Sequence, residues 1–309
     1  MRVNSDAEDS IAIVCVATIA IFGLVSNALS FYITRTGSRF RNAFGILCRS
    51  FLICNLQAIF SLSTWCILVL ILKEPILSSP AFFPARMVGV FVNGPYYGSL
   101  FVHFFIAINR FCAFVYATKY NRLWSKSKAV VVGCCCWTFG TFISLAHLYG
   151  DCSLIFNKSS NYRFSYSRSL AGIICSNTDA SITVVSVMAI GCVDFTTLLK
   201  IISYRRAMRR NMISTDNAVK ERGILFFRQS CILGLVYITY TILLIIHPFV
   251  FTDKWMLFLT SLVAWILVQS LDGLTFLIFN RSLICKMGFC STKITPAVTL
   301  NRLQTITRQ

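Results

Sequence analysis

Long stretches nearly free of charge constrain this chain more than any other feature. They run Ile11–Ile33, about Phe44–Leu72, about Met87–Ala117, Ala129–Tyr149, Ile182–Ile202, about Ile224–Phe251 and Trp255–Phe279. The hydrocarbon core of a bilayer takes about 20 apolar residues as a helix. Lipid offers the backbone no hydrogen-bond partner, so such stretches must form helices. The 309 residues are 56% hydrophobic and only 13% charged, against about 25% charged in a soluble domain. The fold class expected is an all-α membrane protein, a seven-transmembrane helix bundle. There are no internal repeats, no low-complexity segment and no room for a soluble domain. The chain divides into a short polar N-terminus (1–10), the helical bundle (11–280), an amphipathic membrane-surface helix (281–290) and a polar tail (291–309).

The formal net charge is +18. On a soluble protein that excess would suggest nucleic acid. Here the basic residues flank apolar runs, so they read as topology signals. Seven of the 29 lysines and arginines lie in the N-terminus or in the loops after runs two, four and six; the others cluster on the opposite side. The positive-inside rule then places the N-terminus outside and the C-terminus in the cytoplasm. The first ten residues, MRVNSDAEDS, lack the basic start of a cleavable leader. The first run is therefore expected to be the targeting signal.

Most of the 14 cysteines lie within apolar runs and act as small hydrophobes. The loop between runs four and five differs. It holds Cys152 and Cys175, which would close it in an oxidising compartment. Free thiols, or pairing with Cys66 at the outer end of run two, are the alternatives. The same loop carries a glycosylation sequon at Asn157.

Polar groups at membrane depth need partners on other helices. Asn27, Asn55 and Asp272 are expected to form one network across runs one, two and seven; local bonds within each helix are the alternative. Asp194 lies in the inner half of run five. Arg110 sits where run three leaves the membrane. There an arginine either snorkels to headgroups or serves a function. Gly94-Pro95 is expected to interrupt run three and widen its outer half. That would place Asn93, Tyr96 and Tyr97 at a ligand pocket, with interfacial packing as the other reading.

Enzyme chemistry is not expected. The three histidines, His103, His147 and His247, have no metal-ligand spacing. No nucleophile or phosphate-loop motif is present. The reading is no enzyme, no metal and no cofactor.

Run one contains GLVSNAL with Asn27, run four has Trp137, and Asn109-Arg110-Phe111 closes run three. Together these resemble a rhodopsin-like G-protein-coupled receptor over about residues 20–290. Asn109-Arg110-Phe111 corresponds to that family's Asp/Glu-Arg-Tyr. Asp272-Gly273-Leu274-Thr275-Phe276 corresponds to its Asn-Pro-x-x-Tyr. Asn55 stands where the family has an aspartate. The Cys-Trp-x-Pro element of run six and the Cys at the top of run three are missing. The longer stretches INRFCAFVYATKYNRLWS, FRNAFGILC and DGLTFLIFNRSL are similar to the nematode serpentine receptor class X chemoreceptors.

The resemblance implies a chemosensory receptor in the plasma membrane of sensory neurons. A small environmental chemical would bind the outer half of the bundle. A heterotrimeric G protein would dock at the inner ends of helices 3, 5 and 6, with Asn109, Arg110, Phe111, Asp272 and Phe276 forming the switch. Val92 stands where amine receptors carry an aspartate, so a cationic amine ligand is not expected. Cys285 and Cys290 are candidates for palmitoylation. The partners expected are ligand, G protein and lipid bilayer, with no nucleic acid. A neuropeptide receptor of the same fold is the alternative function, and a seven-span transporter or channel is a further one.

Overall fold

A computed structural model describes residues 2–211 and 217–280. The expected surface helix over 281–290 with Cys285 and Cys290, and the tail 291–309, lie outside the described residues. The long helices are α1 (Arg2–Thr36), α2 (Ala43–Leu72), α3 (Phe83–Val115), α5 (Lys126–Ser144), α6 (Leu170–Asn211), α7 (Asn217–Val250) and α9 (Ala264–Phe279). A single turn, α4 (Tyr120–Leu123), follows α3. The short α8 (Lys254–Phe258) runs through a π-turn, Leu259–Val263, into α9. Among the described residues, six spans are long and apolar enough to cross a membrane. A shorter apolar stretch, Cys231–Ile246, lies within α7.

The helices face inward with their small and polar residues. On α1, Ala12, Val16, Ala20, Asn27, Ser30 and Thr34 are buried, while Ile11, Val14, Ile21, Val25 and Leu29 are exposed. The three- and four-residue steps of the buried set keep one stripe facing the bundle. An apolar exterior over a small, polar seam is the membrane pattern of helix association. The helix starts are fixed locally. The side chain of Asn42 caps α2 by accepting from the Gly45 amide, and Ser125 caps α5 by accepting from Lys128. Asp253 accepts from both Trp255 and Met256 at the start of α8.

Helix α3 lies at the centre, packed against α2, α5, α6 and α7; α1 joins α2 to α9, and the α6–α7 and α7–α9 contacts close the ring. The expected break at Gly94-Pro95 is absent, because α3 continues through Pro95. The glycines have another use. A Cβ on Gly140 of α5 would lie 2.5 Å from the Gly94 oxygen and 2.6 Å from the Gly98 nitrogen. Three glycines thus bring α3 and α5 into backbone contact, as small residues do in membrane helix pairs.

The face carrying the start of α1 is partly covered by a hairpin. Its strands, β1 (Ile155–Asn157) and β2 (Arg163–Ser165), are antiparallel. Cys152 and Cys175 form a disulfide that ties the loop to the first turns of α6, while Cys66 is a free, buried thiol. Residues 1–10 were expected as a polar segment apart from the first span. The structure instead starts α1 at Arg2 and buries Asp9 to 2% exposure.

Candidate functional site

At the face opposite the hairpin, the last turns of α3 hold Asn109, Arg110 and Phe111. Arg110 is only 9% exposed, and its Nε donates to the Ile106 carbonyl at 3.2 Å. Its Nη2 lies 3.4 Å from Oδ1 of Asp194 on α6, also buried. Of the two sequence readings of Arg110, snorkelling to the headgroups is not what the structure adopts. The guanidinium points inward and joins α3 to α6. Asn109 is buried and accepts from the Tyr120 hydroxyl at 3.2 Å, which secures α4 beneath α3. Phe111 is half-buried and meets Tyr116 edge-on, with ring centroids 6.3 Å apart.

Deeper in the bundle, Asp272 of α9 is 1% exposed. Its Oδ2 accepts from the Asn55 amide and from the Tyr237 hydroxyl, each at 2.8 Å. One carboxylate therefore links α2, α7 and α9. Asn27 stands apart from this group. Its amide donates to the carbonyls of Gly23 at 2.8 Å and Gln269 at 3.0 Å, pinning α1 to the α9 backbone. The expected network of Asn27, Asn55 and Asp272 is thus only partly formed: Asn55 and Asp272 meet, Tyr237 is the third member, and Asn27 bonds to backbone instead. Phe276, one turn on from Asp272, packs on Phe40 with centroids 5.2 Å apart. A cavity of about 30 Å³ is lined by both Arg110 and Asp272, together with His103. Such a volume is on the scale of one water molecule.

Toward the hairpin face the proposed pocket residues are tightly packed. Asn93, Tyr96 and Tyr97 are 4%, 6% and 1% exposed. None of them lines either of the two cavities described here. The physical reason is the glycine crossing, which draws α5 against the helix that a break was expected to open. Asn93 instead joins a polar cluster. Its amide donates to Asp179 of α6 at 3.0 Å and lies 2.7 Å from Nε2 of His147. Nε2 of His147 also lies 3.4 Å from Oδ2 of Asp179. Nδ1 faces the Cys152 carbonyl and donates to it at 3.0 Å. The Tyr166 hydroxyl also donates to Asp179. Burial, reinforced by Asp179, pushes that hydroxyl well above its ordinary value and keeps it a donor.

The second cavity, about 690 Å³, opens at the hairpin face between α1, the end of α2, the hairpin and α8. Asn157 lies on its wall, half-buried, accepting from the Ser159 amide and hydroxyl. Sequence reasoning missed several members of these groups: Tyr237, His147, Asp179 and the charged wall of this cavity.

A family model for the serpentine-type 7TM GPCR chemoreceptor Srx matches residues 18–280. No curated protein matches the chain.

Proposed function

The chain belongs to the serpentine-type 7TM GPCR chemoreceptor family Srx, and on that premise we propose that it turns binding of a small chemical at the hairpin face into docking of a G protein at the opposite face. The hairpin face is read as outside. The Lys/Arg bias supports this, as does a disulfide suited to an oxidising compartment. In that orientation Asn157 is a carbohydrate acceptor. The receptor sits in the plasma membrane of a sensory cell and carries out no catalysis of its own.

The observation that carries this reading is the buried Arg110–Asp194 pair, 3.4 Å long. It lies at the basic end of the bundle and bridges the two helices whose separation would open a docking cleft. Breaking one pair there changes the relation of α3 to α6 directly. A switch needs an element with two packed arrangements, and an ion pair between helices biases one of them. Asp272 links α2, α7 and α9 one layer away, so the two charged centres together touch every helix around the inner cavity.

The test is Arg110→Ala in cells with a promiscuous G-protein reporter, exposed to a small-molecule library. Surface expression is expected to survive and ligand-driven signalling to disappear. Undiminished signalling from that variant would remove this mechanism.

A further inference from the structure

The cavity of about 690 Å³ at the hairpin face has the size of a small-molecule site, about 300–1,000 Å³. Its wall is unusually charged. Lys73 ends α2, Lys158 lies in the hairpin and Lys254 starts α8, so three separate segments each contribute one lysine. Their side chains are 48%, 38% and 33% exposed. The acidic first turns of α1 hold all three. Lys158 lies 2.6 Å from Asp9 and Lys254 lies 2.7 Å from Glu8. Lys73 pairs with Asp6 and reaches Asp9 at 3.5 Å. Its pairing with Asp6, then with Asp9, holds the Lys73 ammonium above its ordinary value.

Three carboxylates lie on the wall, Glu8, Asp9 and Glu74, and the two that hold lysines are not equivalent. That of Asp9 is 3% exposed and already accepts from Lys158 and from the Tyr162 hydroxyl at 2.8 Å. It is fixed structure. That of Glu8 is 33% exposed and is held through Lys254 alone among the ion pairs described. It is exchangeable. Lys158 and Lys254 also lie 5.9 and 5.5 Å from the centroid of the Tyr162 ring, which stacks on Trp255. Pro75 is exposed and adds apolar surface to the lining, while Val69 and Leu70 are buried behind it.

We propose that this cavity binds a small organic acid, its apolar body against Pro75 and its carboxylate on Lys254 and Lys158 in place of Glu8. With Glu8 displaced, the Lys254 ammonium is a donor with no acceptor capacity, so an incoming carboxylate satisfies it and an amine does not. The site rests on the receptor reading above for its role, but not for its chemistry. The lysines are partly exposed, so binding weakens as salt rises.

The experiment uses the full chain in phosphatidylcholine nanodiscs, with 2-naphthoate as probe and its primary amide and its aminomethyl analogue as neutral and cationic isosteres. Binding is measured by calorimetry against empty nanodiscs. The naphthoate is expected to bind saturably and at least tenfold tighter than either isostere. Lys254→Gln is expected to weaken it about tenfold, and Glu8→Gln to tighten it severalfold by removing the resident competitor. A thermal midpoint for each variant checks folding, and Lys73→Gln replaces Lys254→Gln if that variant does not fold. Equal binding of the three probes, no saturable naphthoate binding, or unchanged affinity in the folded variants overturns the proposal. Small-molecule signalling intact in Lys254→Gln with acid binding lost would remove this site and leave the receptor reading. Lysine-dependent acid binding with no G-protein response to any compound would do the reverse.

Discussion

Arg110 and Asp194 are each buried where an isolated ion would cost several kcal/mol to desolvate. Their mutual attraction offsets that cost only while α3 and α6 stay close. Removing one partner from such a pair typically costs about 3–5 kcal/mol. In Asp194→Asn that cost falls on the closed arrangement. A penalty of about 3 kcal/mol moves a two-state equilibrium on the order of 100-fold. Ligand-free signalling of Asp194→Asn, measured at matched surface level, is therefore expected to rise well above the parent. Basal activity at or below the parent level would show that the pair does not restrain the switch. The sequence placed Asn55, Asp194 and Asp272 at membrane depth and Arg110 where run three leaves the membrane, because polar and charged groups in an apolar run are visible without coordinates. It did not pair Arg110 with Asp194 or bring Tyr237 to Asp272. Those partnerships depend on how each helix is rotated about its axis, which weakly amphipathic membrane helices encode only faintly.

Among the elements, the α3–α5 crossing is the least legible in the sequence. Gly94-Pro95 looked like a helix break, since proline removes a backbone bond. Membrane helices tolerate proline when neighbours shelter the backbone, and here Gly98 and Gly140 let α5 come close enough to do so. A side chain on Gly140 has nowhere to go, while one on Gly191 of α6 meets nothing within 4 Å. Gly140→Val is thus expected to lose most surface expression, and Gly191→Ala to keep it, as read by surface labelling and thermal stability in detergent. Comparable behaviour of the two variants would argue against a tight crossing. The helices themselves were legible to within a few residues for α2, whose run was expected at about Phe44–Leu72. The extension of α1 back to Arg2 was not, because its stabilising partners, Lys73, Lys158 and Lys254, come from distant loops.

For the whole molecule, the charge distribution and the fold give a single testable orientation. An epitope inserted in the loop after β2, near Arg168, is expected to label on intact cells, and one between Lys119 and Lys126 only after permeabilisation. The reverse pattern would invert the proposed faces and with them the assignment of ligand and transducer sides. The bundle also specifies where its chain can change length. The π-turn at Leu259–Val263 holds one residue more than a regular turn needs. Deleting Thr260 would restore ordinary winding and leave Asp253 and Asp272 facing their present neighbours. The same deletion at Leu267, inside α9, would swing one half of the crossing by about 100° relative to the other and turn Asp272 away from Asn55. Shortened receptors should accordingly survive at the first position and fail at the second, and natural length variation in this helix is expected to collect at that wide turn.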